Sequence, residues 1–252
     1  MGTEGTNGRL DQIEDRLSGA EGRVEALERD AGVFTLCILV LGCVSALLLL
    51  RGCWGGRAAM ATPGKARPSL SLTFDDGPSR MTPRILDELK AAGVRGTFFV
   101  LGARLQNRRY CGHLRRAARE GHRIANHLWS HRSPCKLGLA GTMREFRRCD
   151  RDIRRCLGSK LYHKAAVLVY RPPFGHRCNA KAITATGYRV RMWDVADLGR
   201  SASAMWRKAK FWARWKQRRG SRPHITILIH HRPDKLRHII RNAKRASWRF
   251  AP

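Results

Sequence analysis

Acidic residues are scarce in this chain. Its 252 residues hold 19 Asp and Glu against 50 Lys and Arg, for a formal net charge of +31. The imbalance is also uneven. Before Pro68 eight basic and eight acidic residues cancel, so the whole excess belongs to the remainder, with 42 basic and 11 acidic residues. Such a field attracts polyanions and raises encounter rates, but it does not define a fold. Clustered Lys and Arg are the electrostatic footprint of a nucleic-acid binder, and an acidic glycan or an anionic cell wall would be attracted equally well. Cysteine is limited too. Eight residues at irregular spacing do not read as a disulfide scaffold, and none has the spacing of a metal site. Cys149 and Cys156 lie seven apart on a predicted helix, about 10 Å of rise, too far to bond each other. Cys111, Cys135 and Cys178 leave the redox compartment open.

Only one long uncharged run needs a membrane reading. Val33 to Leu50 is eighteen residues without a charge, just long enough to cross a bilayer. Thirty polar, acid-rich residues precede it, which argues against a cleaved leader. The expected organisation is a polar, disordered stretch at 1–9, a heptad helix at 10–30, a transmembrane anchor at 33–50 and a linker at 51–68. The heptad positions Leu10, Ile13, Leu17, Ala20, Val24 and Leu27 suit either a homo-oligomeric stalk or a single amphipathic helix, with Gly19 and Gly22 weakening both.

From residue 69 onward, β-like and helical runs alternate. Apolar runs at 69–74, 96–101, 166–170, 188–193 and 225–230 are separated by helical patterns near 82–92, 108–120, 142–157, 178–186, 202–217 and 234–246. That alternation predicts an α/β domain over 69–252, with parallel strands and crossover helices. No internal repeat is visible. The Arg-rich helix faces, such as Arg144, Arg147, Arg148, Arg151, Arg154 and Arg155, read as solvated surface or as the wall that meets a polyanion. Trp206, Trp212 and Trp215 interleave with basic residues, and the inner stripe of one helix accounts for them better than stacking on bases or sugars.

Chemistry concentrates at Leu70-Ser71-Leu72-Thr73-Phe74-Asp75-Asp76-Gly77-Pro78, a β-like run that ends in two carboxylates and a turn. Alternation along a strand cannot give both carboxylates one job, but at a strand end both can tip into one cleft. Downstream, Asn126-His127-Leu128-Trp129-Ser130-His131 places two imidazoles at i and i+4. That spacing predicts one side of a helical turn and two ligands of one ion. One carboxylate and two imidazoles with open positions suit a catalytic metal better than a structural one.

These two stretches resemble the first two motifs of the NodB-type polysaccharide deacetylases, carbohydrate esterase family four. Arg171-Pro172-Pro173-Phe174-Gly175 is similar to the third motif, Asp194-Val195-Ala196-Asp197 to the fourth and Leu228-Ile229-His230 to the fifth. The resemblance implies a distorted, incomplete (β/α) barrel. It also implies hydrolysis of N-acetyl groups on N-acetylglucosamine residues of a polysaccharide such as chitin or peptidoglycan. By motif position, Asp76, His127 and His131 would hold a divalent metal, most simply Zn2+. Asp75 would be the base, with a bidentate Arg171 keeping it ionised. His230 would be the acid, oriented by Asp197, and the Phe174 amide would donate to the oxyanion. Leu198 stands where the family has Trp, His231 where an Asp is common, and Phe174 where Tyr is usual. A catalytically silent protein that binds acidic glycan or nucleic acid on the same fold is the alternative reading. Orientation is contested: basic residues after the span favour a cytoplasmic domain by the positive-inside rule, whereas the resemblance implies an extracytoplasmic one.

Overall fold

In the computed structural model, the structure describes residues 66–230 and 232–251. The heptad helix, the membrane anchor and most of the linker, like His231, lie outside the described residues. Among the described residues no helix is long and apolar enough to cross a membrane.

The domain is built on β1 (Ser69–Gly77), whose nine residues are buried almost throughout. Then follow α1 (Thr82–Ala92), β2 (Thr97–Val100), a 3-10 turn at Gly102–Gln106, α2 (Arg108–Arg119) and β3 (Arg123–Asn126). The chain continues through α3 (Pro134–Ala165), β4 (Ala166–Tyr170), a second 3-10 turn at Pro173–Gly175 and α4 (Ala180–Thr184). It closes with β5 (Arg189–Val190), β6 (Val195–Ala196), α5 (Ala202–Arg218), β7 (His224–Ile229), α6 (Pro233–Arg245) and β8 (Arg249–Phe250). All strand pairings are parallel, in the order β5-β4-β3-β2-β1-β7-β6, with β8 beside the start of β1. The result is a curled half-barrel whose two edges are the two-residue strands β5 and β6. The α/β expectation holds, and so does the incomplete barrel.

β1 explains how one sheet serves both packing and chemistry. Successive side chains alternate between faces. Leu70, Leu72 and Phe74 join the main apolar cluster with Ile85 and Leu89 of α1, Ile227 and Ile229 of β7, and Leu236 of α6. Ser71, Thr73 and Asp75, equally buried, turn the other way and meet polar partners. Arg191 donates to Ser71, and Arg171 donates to Thr73 and Asp75. The inner face of β1 is therefore polar.

Some expected boundaries move. β3 is four residues long and begins directly after Gly121-His122, so its alternation is too short to be read from sequence. The helix expected at 142–157 runs from Pro134 to Ala165, with non-helical Gly138 and Gly158 (φ 65° and 71°) inside it. The run at 188–193 makes only the two-residue strand β5, and β6 follows it. Trp206 is buried against Trp248 and Trp212 packs on the core, so those two belong to the inner stripe of α5.

The cysteines also depart from expectation. Cys111–Cys156 ties α2 to α3, and Cys135–Cys178 ties the start of α3 to the segment before α4. These pairs are 45 and 43 residues apart in sequence, a long-range proximity that spacing cannot reveal. Cys149 is buried and free, and does not reach Cys156, as helical rise requires.

Candidate active site

Where β1 ends, Asp75 is still in register with the polar inner face and only 3% exposed. Asp76 then takes a left-handed backbone conformation, φ 63°. That turn swings the second carboxylate into the same cleft instead of onto the apolar face, which alternation alone would dictate. The two adjacent acids thus share one site with different neighbours.

Asp75 is bound by Arg171, the largest side chain fully buried in the domain. Arg171 Nη1 donates to Asp75 Oδ1 at 2.7 Å and to Thr73 Oγ1 at 2.9 Å. Its Nε and Nη2 donate to the carbonyls of Arg191 and Met192. The guanidinium lies over the Phe99 ring at 3.9 Å. The expected bidentate pairing is therefore replaced by a single hydrogen bond to the carboxylate. The other donors are taken by the main chain after β5 and by Thr73, so Arg171 locks the inner face as well as pairing with Asp75.

His127 and His131 do not lie on a helical turn. β3 ends at Asn126, and the two histidines sit in the loop that follows. Asn126 Oδ1 accepts from the Leu128 amide, and Leu128 and His131 both adopt positive φ, 65° and 62°. A spacing of four is compatible with this loop because two left-handed residues fold it back on itself. The metal-type grouping survives the correction. Asp76 Oδ1 lies 3.4 Å from His127 Nε2 and 3.2 Å from His131 Nε2. One ligand atom from each of the three residues falls within 4.8 Å of the others.

Two observations test whether a cation fits there. Asp76 Oδ1 is buried and has no hydrogen-bond partner, which is costly for a carboxylate oxygen unless something cationic meets it. His127 Nδ1 is 2.7 Å from the Arg171 carbonyl oxygen, which can only accept. The Nδ1–H therefore donates, and Nε2 turns a bare lone pair toward Asp76, as an orienting partner does for a metal ligand. The donor set fits a divalent ion.

On the opposite side, His230 follows β7. Its Nδ1 is 2.6 Å from Asp197 Oδ1, and its amide donates to Asp197 Oδ2 at 3.0 Å. Asp197 is buried at the end of β6, the strand paired with β7. This hydrogen bond raises the His230 imidazole above its ordinary value against the opposing effect of burial. His230 Nε2 faces Asp76 Oδ2 at 3.8 Å. Phe174 has φ 57° and ψ 8°, a strained conformation for a non-glycine residue, and its exposed ring packs edge-on against His131 at 4.5 Å.

All eight expected site residues therefore converge. Leu198 is exposed, so no apolar wall stands at that position. The cleft measures about 480 Å3 and is lined by Asp76, Leu101, Ala103, Arg104, Trp129, Ser130 and His131. Sequence reasoning passed over Glu145, which accepts from both the amide and the hydroxyl of Ser130 and so pins the histidine loop to α3. It passed over Asp152 as well, which accepts from Trp129 Nε1. Both are among the few acids of the domain, and that rarity was the available signal.

Comparison with known proteins agrees with this geometry. The polysaccharide deacetylase family profile matches residues 63–191, just over half of the chain. A peptidoglycan-N-acetylglucosamine deacetylase of Bacillus cereus is 32% identical over 146 residues, 56% of this chain and 50% of that protein. A chitooligosaccharide deacetylase of Sinorhizobium fredii is 36% identical over 113 residues, 44% of this chain and 49% of that protein. The chain spans about half or less of the length of the curated relatives it matches first. Among solved structures, a peptidoglycan N-acetylglucosamine deacetylase superposes with a TM-score of 0.61 at 29% identity, covering 74% of this chain and 88% of that one.

Proposed function

The chain belongs to the polysaccharide deacetylase family, and from that premise we propose that it is a metal-dependent N-deacetylase of N-acetylglucosamine residues in a polysaccharide. One observation carries the reading. The buried, unpartnered Asp76 Oδ1 faces two histidine nitrogens, with an Asp75–Arg171 pair and a His230–Asp197 pair on either side. The relatives that act on peptidoglycan and chitooligosaccharide support the substrate class.

In this reading Asp76, His127 and His131 hold the ion. A divalent cation such as Zn2+ would supply an acidified water and polarise the acetamide carbonyl. Asp75 takes the proton from the attacking water, and Arg171 holds that carboxylate in place by a 2.7 Å hydrogen bond. The Phe174 amide donates to the oxygen as it gains charge. His230, held in one orientation by Asp197, gives its proton to the departing amine. One water and one amide become acetate and a free amine. The two disulfides favour an oxidising compartment and so an extracytoplasmic domain, with residues 33–50 as a single-pass anchor.

The test is acetate release by the full chain from chitin oligomers, peptidoglycan and hyaluronan, with and without chelator. Turnover that chelation abolishes and zinc restores is expected. No chelator-sensitive release from any of the three overturns the proposal.

A further inference from the structure

Beside the catalytic cleft lies a second cavity, of about 270 Å3, whose polar lining is Gln106, Arg108, Arg115 and Arg155. Cys111 and Cys156, joined by a disulfide, also line it, and no acidic residue does. Three guanidinium groups around one hollow repel one another, and that arrangement is stabilised when an anion enters. Two of the three are already oriented. Arg115 Nε donates to the Cys156 carbonyl at 2.6 Å, and Arg155 pairs with Asp152 at 3.0 Å. The Asp152 carboxylate that pairs with Arg155 is shared with Gln106 and Trp129.

The cavity and the cleft share a wall. The 3-10 turn at Gly102–Gln106 gives Ala103 and Arg104 to the cleft, and Leu105 and Gln106 to the cavity. Trp129, on the cleft side, hydrogen-bonds the same Asp152 oxygen as Gln106 and carries Arg148 over its ring at 3.3 Å. Exposed Arg144, Arg148, Arg151 and Arg155 follow one another at three- and four-residue steps along α3, so they form one stripe past this wall. Arginine therefore stands at the cleft wall as Arg104, over Trp129 as Arg148 and in the cavity beyond as Arg155.

We propose that the Arg108–Arg115–Arg155 cavity is an anion subsite. It takes a carboxylate or phosphate of an acidic glycan whose N-acetyl group lies in the cleft lined by Asp76 and His131. The inference rests on the deacetylase reading and narrows it: the substrate is an acidic polymer, and the subsite selects it. Arginine's planar fork suits both anions. A nucleic acid is disfavoured because the cavity lining has no aromatic platform for a base.

The experiment compares wild type with Arg108→Glu/Arg155→Gln, both in the full chain. Three substrates are used: a neutral chitooligosaccharide, a hyaluronan oligosaccharide carrying carboxylates, and a phosphate-bearing chitooligosaccharide. Wild type should prefer at least one acidic substrate by about tenfold in kcat/KM at low salt, with the preference shrinking as salt is added. Which acidic substrate wins identifies the anion. The double variant should lose that preference and stay within about twofold of wild type on the neutral substrate. A preference that survives the substitutions, or an equal loss on all three substrates, overturns the subsite. If wild type turns over none of them, the deacetylase reading has failed, and calorimetry with the two acidic oligosaccharides tests the cavity alone. Binding that the double variant loses upholds the anion subsite. Equal binding by both proteins, or no binding by either, overturns it. A short oligonucleotide that binds more tightly than the oligosaccharides, and is sensitive to the same substitutions, overturns the glycan assignment.

Discussion

Replacing Asp75 by Asn should separate the two adjacent carboxylates by their thermodynamics as well as their chemistry. Arg171 is 0% exposed, and Asp75 supplies the carboxylate paired with it. Removing one partner of a buried pair costs about 3–5 kcal/mol because an uncompensated charge stays inside. Asn keeps an oxygen that can still accept from Nη1, and the Thr73, Arg191 and Met192 acceptors remain. The cost should therefore fall at the low end, about 3 kcal/mol. For a domain of this size that lowers the melting temperature by roughly 6–12 °C. Turnover should drop by about 10²–10⁴, the contribution of a positioned general base, while metal content stays near one equivalent. Asp76→Asn should behave in the opposite way. Its Oδ1 has no protein partner and its side chain is 26% exposed, so the metal-free protein should lose less than about 1 kcal/mol. Metal affinity, however, should fall by at least about tenfold. The assay is metal content by mass spectrometry, thermal melting after chelation, and acetate release, on both variants in parallel. Equal loss of metal from both would make Asp75 a ligand and sink the division of labour. An Asp75→Asn protein that melts with wild type would refute the buried pair, and one that keeps full activity would refute the base.

Asp197→Ala should cost about 10²-fold in kcat with metal content unchanged, because His230 loses the acceptor that orients it and raises its proton affinity. Loss of metal instead would give Asp197 a structural role. Replacing Cys135 and Cys178 by Ser should destabilise by about 3 kcal/mol through the restored freedom of the unfolded chain. It should also lower turnover, since the bridge joins the segments that carry His131 and Phe174; an unchanged melt would show that the bond does not form. His122 is buried, accepts from the Gly96 amide, and has its pKa pushed down to about 4 by burial. Its depressed folded pKa means that the unfolded chain binds the proton first. Stability should therefore fall as pH drops from about 6.5 toward 4, by up to ~3 kcal/mol. In His122→Asn, whose amide can accept the same hydrogen bond, that limb of the melting profile should flatten. An identical pH profile in the variant would exclude His122 as its source.

Most of the site was legible because chemistry that requires particular side chains leaves them in the sequence. Asp75, Asp76, His127 and His131 could be named from residue type and spacing, as could the alternation of strands and helices that positions them, whereas Arg171, Asp197 and His230 were named by their resemblance to the family's motifs. Backbone conformation decided what residue type could not. Four-residue spacing suits a helical turn and a folded-back loop alike, and the positive φ at Leu128 and His131 selects the loop. The positive φ at Asp76 likewise puts two neighbouring carboxylates into one cleft, against the alternation of a strand. The remaining differences are long-range. Arg171 was expected to grip its carboxylate with two donors. The nitrogen that meets Asp75 also meets Thr73, and the other two meet the carbonyls of Arg191 and Met192 instead, partners set by how β1, β4 and β5 lie together in space. The disulfides and the arginine-lined cavity have the same origin. Sequence carries local preference and chemical identity, whereas proximity between residues forty or more apart exists only after the sheet has curled and the helices have packed on it.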